Sequence, residues 1–125
     1  MGDARHDLGI AAEGAVAAWL GAAGWRILAR RYRSAAGGEV DLIAVDPAMV
    51  LVAIEVKARR LDRTGTSAEM IDQRRTARIG RTLAAFGAVS GEIHHGLRVD
   101  LVTVAPVPGS VTRWQLRRIP DIGAW

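Results

Sequence analysis

Residues 39–57 form the most informative segment of the chain, Glu39-Val40-Asp41-Leu42-Ile43-Ala44-Val45, Asp46-Pro47-Ala48-Met49 and Val50-Leu51-Val52-Ala53-Ile54-Glu55-Val56-Lys57. Two aliphatic runs on either side of a proline-containing turn are typical of paired β-strands. If Asp46 pairs with Val50, the same register sets Asp41 opposite Glu55. Alternation along the second run then places Glu55 and Lys57 on one face. Charged side chains therefore interrupt a hairpin that is otherwise built for a core.

Further helices and strands are predicted on both sides of this hairpin. Apolar residues at helical spacing precede it and end at Gly24, while a capping box of Thr66 and Glu69 opens a helix after it that Gly87 can end. In chain order we predict a helix over residues 7–23, strands over 25–33, 39–46 and 50–57, a helix from Thr66 to about Phe86, and strands over 97–105 and 111–118. The order α-β-β-β-α-β-β predicts an α/β fold in which helices flank a mixed sheet.

Length and composition indicate one globular domain over residues 1–125. The chain has 125 residues, of which 50% are hydrophobic and 24% charged, a balance that excludes a disordered or fibrous protein. No apolar run approaches the ~20 residues of a membrane helix, and the N-terminus lacks the apolar core of a signal peptide. The chain contains no cysteine, which excludes disulfides and thiolate zinc sites. We therefore expect a cytoplasmic protein without a membrane partner.

The charge balance favours a polyanionic partner such as nucleic acid. The net charge is +4 and the isoelectric point is near 10.9, and a basic excess attracts polyanions. Every basic residue except Lys57 is an arginine. A lysine is a compact cation whose pKa shifts readily when it is desolvated, whereas an arginine stays protonated. Lys57 is therefore the basic residue for which a special role is expected.

Three acids and this lysine converge in the predicted fold. Glu13 lies at the margin of the apolar stripe of the first helix and points partly inward, toward Asp41, Glu55 and Lys57 on the strands. Two carboxylates on neighbouring strands can hold Mg²⁺ or Mn²⁺ and leave positions for water and a phosphate. A lysine on the same face can orient the attacking water or stabilise the developing charge. The alternative is that each acid is solvated, with Glu55 and Lys57 forming an ion pair worth ~0–1 kcal/mol.

Arginines of the second predicted helix form a candidate nucleic-acid surface. Arg74, Arg78 and Arg81 make a row that suits a track of phosphates, or else a solvated helix face. Arg75 lies within the apolar stripe, where it is either a cation of the site or a side chain that extends to solvent.

Several other polar or aromatic residues are interpreted as structural. His94 and His95 lie in a loop with no third ligand in view, which disfavours a metal site. Trp19 and Trp25 lie inside predicted elements and are expected in the core rather than as base-stacking platforms. The remaining pair, Arg98 and Asp100 on one strand, is interpreted as a structural ion pair.

The motifs of the chain resemble the bacterial YraN-like family. The matching residues are Gly9-x₃-Glu13, Gly24, Ile27-Leu28, Arg30, Gly38-Glu39-Val40-Asp41-Leu42-Ile43-Ala44, Ile54-Glu55-Val56-Lys57-x-Arg59, Gly65, Arg75-x-x-Arg78-Ile79 and Arg98-Val99-Asp100-Leu101-Val102. The resemblance implies the fold of the PD-(D/E)xK restriction-endonuclease-like superfamily, and the helical glutamate is similar to that of archaeal Holliday-junction resolvases.

The same resemblance implies roles for individual residues. Asp41 and Glu55 correspond to metal ligands, Lys57 to the catalytic lysine and Glu13 to an auxiliary acid that joins the metal site. Glu39 matches the acid of the G-E-x-D string, without a defined role. The chain departs from the family pattern at Arg31, where asparagine is common, at Trp19, where tyrosine is common, and at Arg75, where lysine is usual.

We therefore expect a nuclease that uses Mg²⁺ or Mn²⁺ to hydrolyse phosphodiester bonds of DNA, at branched or at recombination and repair structures. One alternative is a non-catalytic module that keeps the fold and binds nucleic acid or another protein, and another is a metal-binding regulatory domain. A single site cuts one strand, so cleavage of two strands favours a homodimer. The strand over 111–118, with Trp114, Leu116 and Trp125, is a candidate interface, unless Trp114 and Leu116 pack on the core of their own domain.

Overall fold

The computed structural model describes residues 4–35, 37–58, 72–110 and 112–123. Its elements are α1 (Ala4–Ala22), β1 (Arg26–Arg33), β2 (Glu39–Val45), β3 (Leu51–Ala58), α2 (Gln73–Ser90), β4 (Leu97–Pro106) and β5 (Trp114–Ile119). The predicted α/β fold and its order α-β-β-β-α-β-β are confirmed. No helix in these ranges is long and apolar enough to cross a membrane.

The five strands form one mixed sheet in the order β1-β2-β3-β4-β5. All neighbouring strands are antiparallel except β3 and β4, which are parallel and are separated in the chain by α2. Because α1 and α2 pack on opposite faces, the sheet has two apolar layers. On the α1 side these include Val16, Leu20 and Ile54, and on the α2 side they include Ile79 and Leu83.

The hairpin of β2 and β3 has the predicted register. Leu42 lies opposite Ile54, and Asp46 donates its backbone N–H to the carbonyl of Val50 at 3.0 Å. The Asp46 carboxylate accepts the backbone N–H groups of Ala48 and Val50, each at 2.9 Å, which satisfies the donors of the turn. This register places Asp41 directly opposite Glu55, so both side chains project from the same face.

The second helix differs from the prediction at both ends. Asp72 caps its N-terminus by accepting from the backbone N–H groups of Arg74 and Arg75, so the described helix begins after the predicted start; Thr66 and Glu69 themselves lie outside the described residues. Gly87 does not end the helix, because it lies within it where the helix packs closely on Leu51: a Cβ there would be 3.2 Å from that side chain. The helix instead ends at Gly91, whose φ of 73° is left-handed.

The tryptophans divide between core and surface. Trp25 packs on the α1-side core as expected, but Trp19 is 38% exposed, so its placement in the core was wrong. Helix α1 buries the narrower stripe of Ala12, Val16 and Leu20, and Trp19 lies beside that stripe. Gly24, with a φ of 92°, follows the helix as predicted.

The C-terminal strand begins later than predicted, at Trp114 rather than at residue 111. Trp114 and Leu116 are partly buried and pack against the α1-side core of their own chain. This confirms the alternative prediction, in which these two side chains belong to the core of their own domain rather than to a dimer interface. Residue 111 and Trp125 lie outside the described residues. The outer edge of β5 is nevertheless an edge of the described sheet.

A charged network joins β4 to its neighbours on the α1 side. The Asp100 carboxylate accepts hydrogen bonds from Arg98 (2.8 and 3.1 Å), from Arg118 (2.9 Å) and from the backbone N–H of Asp121 (3.0 Å). Both guanidinium groups lie over the ring of Trp25, 5.8 and 5.3 Å from its centroid. Arg98 and Asp100 therefore form a structural ion pair, as the sequence indicates.

Candidate active site

The central hairpin brings Asp41, Glu55 and Lys57 together on the α2 side of the sheet. Glu55 and Lys57 continue the β3 face that carries Leu51 and Ala53, which pack in the α2-side core. Asp41 faces them from β2, and its Oδ2 accepts the backbone N–H of Val56 at 2.8 Å. Since this bond ties the Asp41 side chain to the neighbouring strand, the carboxylates of Asp41 and Glu55 are held beside each other by backbone geometry.

Glu55 is a buried carboxylate that contacts two cationic side chains. Its side chain is 5% exposed, its Oε1 lies 3.5 Å from Lys57 Nζ, and the same oxygen is in direct contact with Arg75 Nε. Neither contact is aligned as a hydrogen bond, and Oε1 is buried without a hydrogen-bond partner. A buried carboxylate oxygen without an aligned hydrogen bond is costly, and the positive charges of Lys57 and Arg75 offset part of that cost.

Asp41 lies where its ionised form is electrostatically unfavourable. Burial raises the pKa of Asp41 above its ordinary value, and the negative charges of Glu13 and Glu55 raise it further. The Val56 amide and the charge of Arg75 act in the opposite direction without reversing the shift. Ionised Asp41 is therefore destabilised in the folded protein, and binding of a cation beside it would relieve that cost.

Glu13 approaches from α1 but is engaged by a different partner. Its Oε2 accepts a hydrogen bond from Arg31 Nε at 2.8 Å, while its charge still acts on Asp41. Arg31 lies opposite Asp41 in the register of β1 and β2 and has a left-handed φ of 51° inside a strand. Such a backbone conformation is strained for arginine and easier for asparagine. This explains why asparagine suits position 31 in the family pattern.

The donor set that the structure offers to a metal ion is a pair of carboxylates. Within the described ranges, no group of three or more His, Cys, Asp or Glu side chains is placed to hold a metal. The hairpin register brings Asp41 close to Glu55, whose charge acts on it, whereas Glu13 does not complete a group of three with them. Mg²⁺ is commonly held by one or two carboxylates, with water and substrate phosphates completing the shell. The two carboxylates fit such an ion, for which Glu55 Oε1 would exchange its present contact with Arg75.

The remaining candidates lie away from this pair. Glu39 is exposed and lies 3.7 Å from Arg33 at the start of the hairpin. His94 Nδ1 accepts the backbone N–H of Gly96 at 3.2 Å and so stabilises its loop, and His95 is an exposed residue of the same loop.

The arginines of α2 follow the helix away from the carboxylate pair. Arg75 contacts Glu55 with a side chain that is half exposed, so its position is compatible with both of the roles considered for it. Arg74, Arg78 and Arg81 are exposed. Sequence reasoning missed Arg31 as a neighbour of the site; an arginine at a position where asparagine is common was the available signal, but its meaning depends on the backbone angle.

The raised pKa of Asp41 predicts that Asp41→Asn stabilises the protein at neutral pH. A raised pKa means that the folded state binds the proton more tightly than the unfolded chain, so the stability contribution falls as the pH rises through that window. The amide still accepts the Val56 N–H but carries no charge. We expect a gain of about 0.5–2 kcal/mol at pH 7, measured by thermal unfolding, and a smaller difference at a pH well below 3.8, the ordinary pKa of the group, where Asp41 is protonated in both states.

Asp46→Asn is the matched control with the opposite sign. Burial alone would raise the pKa of Asp46, but the Val50 amide and Arg98 outweigh it and hold the pKa below its ordinary value. This substitution should therefore destabilise the protein at pH 7. If Asp41→Asn lowers the midpoint at neutral pH as Asp46→Asn does, the assignment of Asp41 as an electrostatically unfavourable site residue is wrong.

Comparison with known proteins identifies the family. A family model described as "Uncharacterised protein family UPF0102" matches residues 12–104. A UPF0102 protein of Symbiobacterium thermophilum is 41% identical over 111 residues, which cover 87% of this chain and 91% of the relative. Another from Maricaulis maris is 44% identical over 111 residues (86% and 78%), and one from Methylorubrum extorquens is 41% identical over 123 residues (94% and 85%).

The family model begins within α1 and ends within β4, so it includes both residues of the carboxylate pair and the lysine beside it. The resemblance to the YraN-like family is thereby confirmed, and the chain belongs to the uncharacterised protein family UPF0102.

Proposed function

We propose that the protein is a metal-dependent nuclease that binds DNA in the cytoplasm and hydrolyses its phosphodiester bonds. The observation that carries the proposal is the buried Glu55 carboxylate, whose Oε1 contacts Lys57 and Arg75 without an aligned hydrogen bond and which lies close enough to Asp41 to raise the pKa of that group. An ion pair kept only for stability is expected to satisfy its hydrogen bonds or to lie in solvent. A buried and a half-buried carboxylate beside a lysine are instead suited to a divalent cation and a phosphate.

The residues of the pair have distinct roles in the proposed reaction. Asp41 and Glu55 would hold Mg²⁺ or Mn²⁺, which when bound stabilises charge on the phosphoryl oxygens and lowers the pKa of a coordinated water. In the proposed reaction, Lys57 would orient the attacking water and stabilise the negative charge of the pentacovalent transition state. Its Nζ lies 3.5 Å from Glu55 Oε1, and its side chain is 35% exposed. Glu13 acts through Arg31 and its field on Asp41 rather than as a ligand.

The arginines of α2 supply the proposed contact to the DNA backbone. Arg78 and Arg81 follow Arg75 at intervals of three residues and so lie on adjoining turns of the helix. Arg75 contacts the carboxylate pair, so the row leads from the site along the helix. Exposed arginines in this arrangement suit phosphate oxygens, and Arg74 extends the positive surface at the helix start.

Cleavage assays with a panel of DNA structures test the proposal. Duplex, single-stranded, flap and four-way-junction DNA are incubated with the protein in Mn²⁺, Mg²⁺ or EDTA, alongside Glu55→Gln, which retains the shape of the side chain but not its charge. The proposal expects cleavage of at least one substrate that EDTA and Glu55→Gln each abolish. Absence of cleavage on every substrate, or cleavage that survives in the variant, would refute it.

A non-catalytic nucleic-acid-binding module is the second candidate. The direct contact between Arg75 and Glu55 favours it, because an arginine that neutralises the carboxylate competes with a cation for the same oxygen. This candidate expects the protein to bind DNA without cleaving it in either metal. The same panel, followed by fluorescence anisotropy as well as by gel, separates the two functions.

Cleavage of both strands at a duplex or junction requires two sites, and we propose a two-fold homodimer for that reaction. Because Trp114 and Leu116 pack in their own core, such a dimer would have to use other contacts, among them the exposed edge of β5. Light scattering at micromolar concentration, with and without junction DNA, should give twice the 13.4 kDa of one chain. A monomer in both conditions limits the enzyme to one strand.

A further inference from the structure

A groove lies between the β1–β2 turn and the outer side of α2. Its volume is about 800 Å³. One wall is the turn and the end of β1, and the other is the middle of α2; the lining residues are Tyr32, Ser34, Ala35, Gly37, Gly38, Arg78, Arg81, Thr82, Ala85 and Val89. The floor is closed where Gly38 meets Thr82, since a Cβ on Gly38 would overlap the Thr82 hydroxyl oxygen.

The groove is positively charged. Arg78 and Arg81 line it, and no acidic residue is among the lining residues. In the described part of the chain, neither arginine forms an ion pair, whereas six others do: Arg26, Arg31, Arg33, Arg75, Arg98 and Arg118. Because no acidic lining residue balances the positive charge of these two arginines, the groove favours an anionic ligand.

The groove also offers an aromatic and apolar surface beside these charges. The Tyr32 ring is one wall, and Phe86 holds it edge-on at a centroid distance of 5.1 Å. Ala85 and Val89 add small apolar side chains opposite. A fixed aromatic ring beside arginines is the combination on which unpaired bases stack while their phosphates are neutralised. An acidic peptide would use the charges but not the ring.

The groove lies about 10 Å from the carboxylate pair, as the spacing of residues along α2 and β2 shows. Arg75, which contacts Glu55, and Arg81 are six residues apart on α2, which is about 9 Å along the helix axis. Asp41 and Gly38 are three residues apart at the start of β2, which is about 10 Å along the chain. The two estimates, one along α2 and one along β2, both put about 10 Å between the carboxylate pair and the groove. A DNA strand bound at the carboxylate pair would therefore reach the groove within a few nucleotides.

We propose that this groove is a subsite for an unpaired nucleotide of a single-stranded segment next to the cleavage position. Tyr32 stacks on the base, and Arg78 and Arg81 bind its flanking phosphates. The inference rests on the proposed function for its place in a reaction, but it is a statement about binding. Binding measured in EDTA therefore tests it independently of whether the protein cleaves DNA.

The experiment is fluorescence anisotropy in EDTA with the full chain and a labelled oligothymidine of eight nucleotides. Arg78→Gln with Arg81→Gln should weaken binding at least tenfold and flatten the dependence of log K on log salt by about 0.7 for each arginine that is replaced. Arg117→Gln is the matched control, since Arg117 is exposed on β5 and lies outside the groove. It should change the affinity and the salt dependence less, for each arginine replaced, than the two groove substitutions do.

Three further measurements separate the base subsite from a general basic surface. Tyr32→Leu should weaken binding about 5- to 100-fold, and Tyr32→Phe should retain it. Ala85→Leu, which narrows the groove, should weaken binding more than Ala84→Leu, an exposed neighbour outside it. An abasic octamer should bind as weakly to the native protein as oligothymidine binds to Tyr32→Leu.

Several outcomes would overturn the subsite. Equal affinities for the abasic and natural octamers would remove the base contact, and equal effects of the groove and Arg117 variants would reduce the groove to nonspecific charge. Displacement of the oligonucleotide by polyglutamate at equal charge concentration would assign the groove to an acidic peptide instead. Circular dichroism of each variant confirms that a loss of binding is not a loss of fold.

Discussion

Lys57→Ala should reduce the metal-dependent cleavage rate by roughly 10²–10⁴ while leaving DNA affinity in EDTA almost unchanged. The Lys57 ammonium lies 3.5 Å from the Glu55 carboxylate, on the face of the β2–β3 hairpin that also carries Asp41. A positioned proton donor or acceptor contributes a factor of that size, and the charge stabilisation that it provides acts only in the transition state. The measurement is the single-turnover rate at saturating DNA, together with the affinity by anisotropy.

Lys57→Arg is the informative companion variant. It keeps the positive charge beside Glu55, but its planar guanidinium stays protonated and is bulkier. We expect it to fold like the native protein and to remain impaired in cleavage. Recovery of the native rate by arginine would leave Lys57 only an electrostatic role, and a native rate in the alanine variant would remove it from the reaction. Thermal midpoints close to the native value exclude unfolding as the cause of either loss.

Asp100→Ala should cost about 3–5 kcal/mol of the free energy of unfolding, the range for one partner removed from a buried ion pair. Asp100 is completely buried, at 0% exposure, and it accepts from two guanidinium groups and one backbone N–H. The substitution leaves Arg98 with Asp46 as its remaining carboxylate and the Asp121 N–H without its acceptor. A protein of this size typically has about 5–15 kcal/mol in total, so we expect a fall of roughly 10–25 °C in the thermal midpoint.

Glu92→Gln provides the control for this prediction. Glu92 forms an ion pair with Arg26 at 2.8 Å, as short as the shortest contact of Asp100, but both groups lie at the surface. An ion pair at the surface contributes little because water screens both charges, so this control should lower the thermal midpoint far less than Asp100→Ala does. Comparable losses in the two variants would mean that burial is not what makes the Asp100 network important.

The register of the hairpin illustrates what local pattern can determine. Aliphatic residues that alternate on both sides of a proline-containing turn permit one pairing that buries them, and a slip by one residue would turn every side chain to the other face. The positions of Asp41, Glu55 and Lys57 on one face follow from that constraint. The order of the elements follows likewise from the change between periods of 3.6 and 2 residues along the chain.

The ends of α2 show where local pattern is insufficient. Gly87 and Gly91 are equally plausible stops in the sequence, and only the close approach of the helix to Leu51 explains why Gly87 lies inside it. Asp72 is likewise one of several residues able to cap a helix. Trp19 was placed wrongly because α1 buries a stripe narrower than its apolar sequence allows.

The α/β order, the strand register and the convergence of two carboxylates with the lone lysine follow from the residue pattern, because they depend on residues close in the chain or on one buried face. The partners of these groups depend instead on tertiary packing. It joined Arg75 to Glu55, drew Glu13 to Arg31 and opened a basic groove beside Tyr32. Such contacts join side chains from separate elements, and their partners depend on how helices are rotated and docked on the sheet, which hydrophobic periodicity does not specify.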